Sequence, residues 1–276
     1  MKVILIFSKL EYNLSMGYTP VFVIRLSYFI VFVLGLITGS FLNVVIYRIP
    51  KNQSIIINPP SHCPVCKTKL KWYDLIPVLS YILLKGKCRY CKSKISIQYP
   101  LVELATGLIF ILFFQKFDWS FLFIKWVIFS GLLIVTGAID LIEGVVPDII
   151  VIPGLITGII FSVFYGKSIF LESIYGLLFM AAFFLTIILL TKGGMGWGDL
   201  TFGAMIGSFL GFKFSLITLI LSFIIGSIAG LTLIIVRKRK RKDTIPFGPF
   251  LSIAAFITSI YGFEILKMYF KFLKFP

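Results

Sequence analysis

The stretch FLFIKWVIFSGLLIVTGAID, running from Phe121 to Asp140, decides the class of fold. Its 19 residues from Phe121 to Ile139 carry a single charge, Lys125, close to the start. At about 1.5 Å per residue a helix of that length spans roughly 30 Å, the thickness of a hydrocarbon core. A helix is also one of the few structures that satisfies its own backbone polar groups there. The run ends on a carboxylate. Ionisable groups at such depths are costly and are kept where an ion path or catalysis uses them. A second aspartate is placed the same way: Asp199 closes the turn Gly193-Gly194-Met195-Gly196-Trp197-Gly198 and opens the next apolar run.

Outward from this stretch the whole chain has the same character. Of its 276 residues 59% are hydrophobic and only 14% charged, which excludes a soluble globular domain. The expected fold is all-α and polytopic, with about eight transmembrane helices at 20–47, 101–115, 121–140, 149–165, 170–191, 200–212, 214–236 and 247–266. Several are shorter than the ~20 residues a straight crossing needs. Polar breaks beside 101–115 and 200–212 suggest tilted or re-entrant helices. The extreme N-terminus is interrupted by Glu11, Tyr12 and Asn13 and lacks a small-residue cleavage site, so it reads as an interfacial segment rather than a signal peptide.

The net charge of +16 is unevenly spread. Ten basic residues from Arg48 to Lys94 face the single acid Asp74, and the run Arg237–Lys242 is entirely basic. The positive-inside rule puts both loops in the cytoplasm, and an even number of spans between them agrees. Loops 141–148 and 192–199 then fall on that side too, so Asp140 and Asp199 share one face. Lys267, Lys271 and Lys274 on the opposite side run against the rule. Anionic membrane lipids, not nucleic acid, are the expected partners of the basic loops.

The one sizeable polar segment, 48–100, carries all four cysteines. Cys63-Pro-Val-Cys66 and Cys88-Arg-Tyr-Cys91 are two CxxC knuckles with 21 residues between them. Each knuckle points two thiolates at one centre, and two of them complete a tetrahedral structural-zinc site. A reducing cytoplasm favours metal over disulfide, although redox pairs and free thiols stay open. Such a closed site fastens a small domain and catalyses nothing itself. His62, the only histidine, adjoins Cys63, and four thiolates already suffice without it. Three domains follow: residues 1–47 with the first transmembrane helix, the cytoplasmic zinc-binding unit 48–100, and the membrane-embedded unit 101–276.

One histidine also narrows the chemistry. Serine–histidine or cysteine–histidine catalysis would have to use His62, which adjoins the first knuckle. The lysines lie in loops or near span ends, which leaves carboxylates as the acid–base groups. Asp140 and Asp199, if they meet, can share one proton and activate water, as the carboxylates of aspartic proteases do. Glu103, Glu143 and Asp148 read as solvated or salt-bridged residues near the same face. The glycines before Asp199 make either a plain interhelical turn or room for an extended peptide backbone beside the carboxylate. A dinucleotide fingerprint is absent: no G-x-G-x-x-G follows a strand.

Gly39-Ser-Phe-Leu-Asn-Val-Val-Ile-Tyr-Arg-Ile-Pro50, the two CxxC pairs, Tyr99-Pro-Leu-Val-Glu-Leu104, Ile139-Asp-Leu141 with Pro147-Asp148, Gly194-Met-Gly-Trp-Gly-Asp199 and Ile245-Pro-Phe-Gly-Pro-Phe250 occur in this order. Over about 39–255 the chain resembles the bacterial prepilin peptidases, or type IV leader peptidases. The resemblance implies a bifunctional enzyme. It would cleave the leader from type IV prepilins or type II secretion pseudopilins and then N-methylate the new terminus with S-adenosylmethionine. It also implies that Asp140 and Asp199 are catalytic and that Gly86 is tied to methylation. Composition and spacing show no methyl-donor pocket, so that activity rests on the resemblance alone. The expected location is the inner membrane, with the active site at the cytoplasmic face. The alternative is an ion- or proton-coupled transporter using the same carboxylates as a relay, although no inverted repeat is visible. The sequence carries no sign of an oligomeric state.

Overall fold

The computed structural model describes residues 21–55, 61–192, 194–236 and 245–273. The N-terminal segment before residue 21, Gly193 and the Arg237–Lys242 run lie outside the described residues. The helices are α1 (Val21–Arg48), α2 (Leu79–Leu83), α3 (Gln98–Phe117), α4 (Phe121–Glu143), α5 (Asp148–Phe164), α6 (Lys167–Leu190), α7 (Trp197–Ile235) and α8 (Gly248–Leu273). Short 3₁₀ turns at Ile49–Lys51 and Trp72–Leu75 complete the described secondary structure, together with isolated antiparallel bridges His62–Lys69 and Lys87–Lys94. The protein is an all-α polytopic membrane protein.

Among the described residues six helices, α1, α3, α4, α6, α7 and α8, are long and apolar enough to cross a membrane. The expected span 149–165 becomes α5, a shorter apolar helix of 17 residues. The expected spans 200–212 and 214–236 form one helical run of 39 residues broken at Gly211, whose φ of 74° and ψ of 175° are not helical. The contacts on either side show what the break does. Before it, Gly203 lies on Phe184, Gly207 on Gly176 and Gly211 on Glu172, so the chain runs antiparallel to α6. After it, Phe212 meets Phe179, Phe223 meets Phe183, and Gly226 reaches Phe250. The chain therefore doubles back at Gly211, and α7 is a helical hairpin whose arms correspond to the two expected spans.

Glycine makes this seam possible. A Cβ at Gly207 would lie 2.3 Å from the Gly176 carbonyl oxygen, so the two backbones touch. Glycines at every fourth position, Gly203, Gly207 and Gly211, present one small-residue stripe to α6. The break also strips helical partners from the preceding carbonyls. Lys125 Nζ donates to Phe209 O at 2.8 Å, and Ser173 Oγ donates to Ser208 O at 2.5 Å. Lys125 is buried rather than merely near a span end, and it works as a cap. Around this point lies the main core, with Phe129, Met180, Phe184, Phe202 and Phe209. A second glycine seam joins α1 to α3, where Gly35 faces Gly107 and Gly39 faces Glu103.

Candidate active site

Asp140 occupies the last turn of α4, which Gly144 ends in a left-handed conformation (φ 68°) by donating its N–H to Asp140 O at 2.8 Å. The side chain is buried, at 5% exposure. Its Oδ2 accepts the Gly248 N–H at 2.8 Å, at the start of α8. The amide-rich beginning of a helix is a natural seat for a carboxylate. Asp199 lies in the first turn of α7, half-buried, its own N–H donating to Gly196 O at 3.1 Å. Gly198 is pressed against Val146, which a Cβ would approach to 2.6 Å, so the α4–α5 loop is seated on the glycine turn. Thr201 Oγ1 donates to Asp148 Oδ1 at 2.8 Å across the same junction. The structure thus brings Asp140 and Asp199 to one end of the bundle, where the α4–α5 loop meets the start of α7. Glu143 is exposed, as expected, and Asp148 is exposed but paired with Thr201.

The four cysteines converge as a second site. Their Sγ atoms all lie within 4.8 Å of one another, with Cys63 and Cys91 3.8 Å apart. A tetrahedral zinc with bonds of about 2.3 Å would separate its sulfurs by about 3.8 Å, so Cys63, Cys66, Cys88 and Cys91 fit a metal. The knuckles are built alike. Cys63 N–H bonds Thr68 O and Lys67 N–H returns to Cys63 O, while Cys88 N–H bonds Ser93 O and Lys92 N–H returns to Cys88 O. Lys67 and Lys92 take the same left-handed turn position. Burial opposes ionisation of Cys63, but the amides of Cys66 and Val65 overcome it and lower its pKa from 9.0 to about 6. At Cys88 the Cys91 and Tyr90 amides favour the thiolate, yet burial and the neighbouring thiols push its pKa up. His62 is exposed and outside the thiol cluster. Asp74 ties the segment between the knuckles to the second one, accepting from Arg89 Nε at 2.6 Å and Tyr90 OH at 3.0 Å. Burial resists its ionisation, and Arg89 holds its carboxyl below the usual range.

Residues 33–117 match the Bacterial Peptidase A24 N-terminal domain, and residues 126–231 match the Type IV leader peptidase family. A prepilin leader peptidase/N-methyltransferase of Pseudomonas aeruginosa is 33% identical over 271 residues, covering 87% of this chain and 92% of the relative. One from Xanthomonas campestris is 32% identical over 87% of this chain and 93% of its own length. Another, from Myxococcus xanthus, is 36% identical over 75% and 63%. The chain belongs to the type IV leader peptidase family. No solved structure matches it. In this leader peptidase the first matched block holds the four cysteines, Gly86 and Glu103, and the second holds Asp140 and Asp199.

Three residues of this leader peptidase were not legible as structural from sequence. Gly248 supplies the hydrogen bond to Asp140, and only the Pro-Phe-Gly-Pro pattern hinted at a special backbone there. Glu103 is neither solvated nor salt-bridged: it is 6% exposed and accepts the Val78 N–H at 2.7 Å. Asn43, 2% exposed, donates to Tyr99 O at 3.0 Å. Gly86 sits at φ 68°, and a Cβ there would meet the Tyr81 hydroxyl at 2.9 Å.

Proposed function

We propose that the protein is a membrane aspartic endopeptidase that removes the basic leader from type IV prepilins or type II secretion pseudopilins. Asp140 and Asp199 form its catalytic pair. One observation carries this reading: two carboxylates from different helices lie at the same end of the bundle, one of them beside a glycine turn against which the α4–α5 loop is seated. Two carboxylates that share a site hold one proton between them. The ionised partner takes a proton from water, and the resulting hydroxide attacks the scissile carbonyl carbon. The protonated partner gives its proton to the carbonyl oxygen, and collapse of the tetrahedral adduct passes a proton to the leaving amine. The glycines before Asp199 leave room for an extended substrate backbone, which a helical peptide bond could not offer. The curated relatives also carry N-methyltransferase in their names, and we extend that activity to this chain, with S-adenosylmethionine supplying the methyl group.

Cys63, Cys66, Cys88 and Cys91 would hold a structural zinc that fastens the loop between α1 and α3. The basic residues of that loop favour an inner-membrane protein with both sites at the cytoplasmic face. Asp140→Asn and Asp199→Asn test the pair. Each is expected to slow cleavage of a purified prepilin at least about 1000-fold, because the two groups act as a unit, while thermal unfolding in detergent stays unchanged. Cleavage at the normal rate by either folded variant overturns the assignment.

A further inference from the structure

The segment between the two cysteine knuckles is unusually apolar for a polar loop. Trp72, Leu75, Ile76, Leu79, Ile82 and Leu83 are all exposed, from 36% at Ile76 to 78% at Trp72. An apolar patch of this kind marks a surface that something covers. Its position says what covers it. The Val78 N–H, at the N-terminus of α2, is bonded to Glu103, and Glu103 belongs to α3. Glu103 is five residues into that helix, about 8 Å along its axis. Because α3, with 20 residues, has only about the ~30 Å needed to cross the hydrocarbon core, its start lies near the boundary. A carboxyl reaching back toward the helix start by about 4 Å still leaves Val78 beneath that boundary. Glu103 also packs on Gly39, nine residues before the end of α1, about 13 Å from it.

We propose that residues 75–84 form a shallow re-entrant segment inserted among lipid acyl chains, seating the cysteine unit, with the Asp74–Arg89 pair, on an anionic bilayer. Backbone groups at that depth must be satisfied within the protein, and amides at the tip and along α2 have such partners. The amides of Ser80, Ile82 and Leu84 bond Ile76 O, Val78 O and Ser80 O, and Glu103 takes the Val78 amide that α2 leaves over. Val78 turns the chain at the tip with φ 61°, a conformation rare for a β-branched residue. Lys71 and Lys85 bracket the segment at the level of the headgroups, with further lysines beyond each, and their charge complements anionic lipid. The buried acid of α3 is thus a cap for the re-entrant tip rather than a proton carrier.

Full-length, metal-loaded protein in phosphatidylglycerol-containing liposomes tests this, using Leu79→Trp as a reporter at a position already half exposed. The emission added by the substitution is expected to be blue-shifted and to lose about half or more of its intensity when the acyl chains carry bromine. Trp72, isolated by subtracting Trp72→Phe, should be quenched less, being nearer the surface. Equal emission from the reporter with brominated and plain lipids overturns the proposal. So does a reporter that lipid leaves unquenched and an added prepilin shifts to the blue, because the patch would then dock a protein. Glu103→Gln keeps an acceptor and should keep the quenching, whereas Glu103→Leu should lose it. Identical quenching in these two variants would remove Glu103 from the proposal.

Discussion

At Gly248 the hydrogen atom in place of a side chain is what lets a backbone amide reach a carboxylate. A Cβ there would stand 2.6 Å from Asp140 Oδ2, well inside contact distance. Gly248→Ala must therefore move the carboxyl or the start of α8. A displacement near 1 Å at a reacting group can cost about 100-fold in rate, so cleavage by Gly248→Ala is expected to fall by about that factor with the fold intact. A steady-state assay on a purified prepilin, alongside a thermal melt, checks both halves. Gly86 is a different case. Its positive φ, and the Tyr81 hydroxyl that a Cβ there would approach to 2.9 Å, define a backbone requirement in the turn that leads from α2 into the second knuckle. Gly86→Ala should cost about 1–2 kcal/mol locally and weaken metal retention, measured by competition with a chelator. If it leaves retention unchanged, the glycine serves something other than the shape of this turn.

Among the elements, the α7 hairpin and the cysteine unit make the clearest predictions. The hairpin reverses at Gly211 near the end of the bundle opposite to Asp140, and Lys125 caps the carbonyl freed there. Lys125→Met keeps the stem and removes the donor, leaving a buried carbonyl unpaired. It should destabilise the protein by about 1–3 kcal/mol and leave the pH profile of cleavage unchanged, which a catalytic lysine would not. The cysteine unit responds to pH. Cys63 has a folded pKa lowered to about 6 from 9.0, so its ionisation stabilises the metal-free fold above about pH 9 in full and loses that contribution as pH falls through about 6. Metal and protons compete for the same sulfurs. Zinc retention is therefore expected to fall as pH is lowered into the acid range, read by elemental analysis after gel filtration, while the helix content of the membrane bundle persists. Retention unchanged down to pH 4 would argue against a thiolate site.

For the whole molecule the decisive property is which ends of the helices share a face. Val146 on Gly198 and Gly248 on Asp140 tie the α4–α5 loop, the start of α7 and the start of α8 into one junction. Single cysteines at Glu143 and Lys192, both exposed, are expected to react with a membrane-impermeant thiol reagent on the same side of the membrane, and one at Lys167 on the other. Labelling of intact cells and of opened membranes, corrected for the native cysteines, distinguishes the sides. Glu143 and Lys192 on opposite sides would separate the two aspartates and end the peptidase reading.

Much of this was written into the chain itself. Apolar run length and the lack of any soluble-domain composition determined an all-α membrane protein, because each helix must satisfy its own backbone in lipid. The spacing of the two CxxC pairs determined one four-thiol centre, because a knuckle aims both sulfurs at one point. Local signals also marked Asp140 and Asp199 as out of place in apolar surroundings. The division of 200–236 into two spans was legible too, and only the tertiary structure put the reversal at Gly211, since a glycine in a helical pattern reads the same whether it bends the chain or packs it. Only the tertiary structure paired Gly248 with Asp140, Thr201 with Asp148 and Glu103 with Val78. Those bonds join residues distant in sequence and have no period or motif to announce them. They depend on how helices cross, and helix crossing is set by packing that no single segment contains.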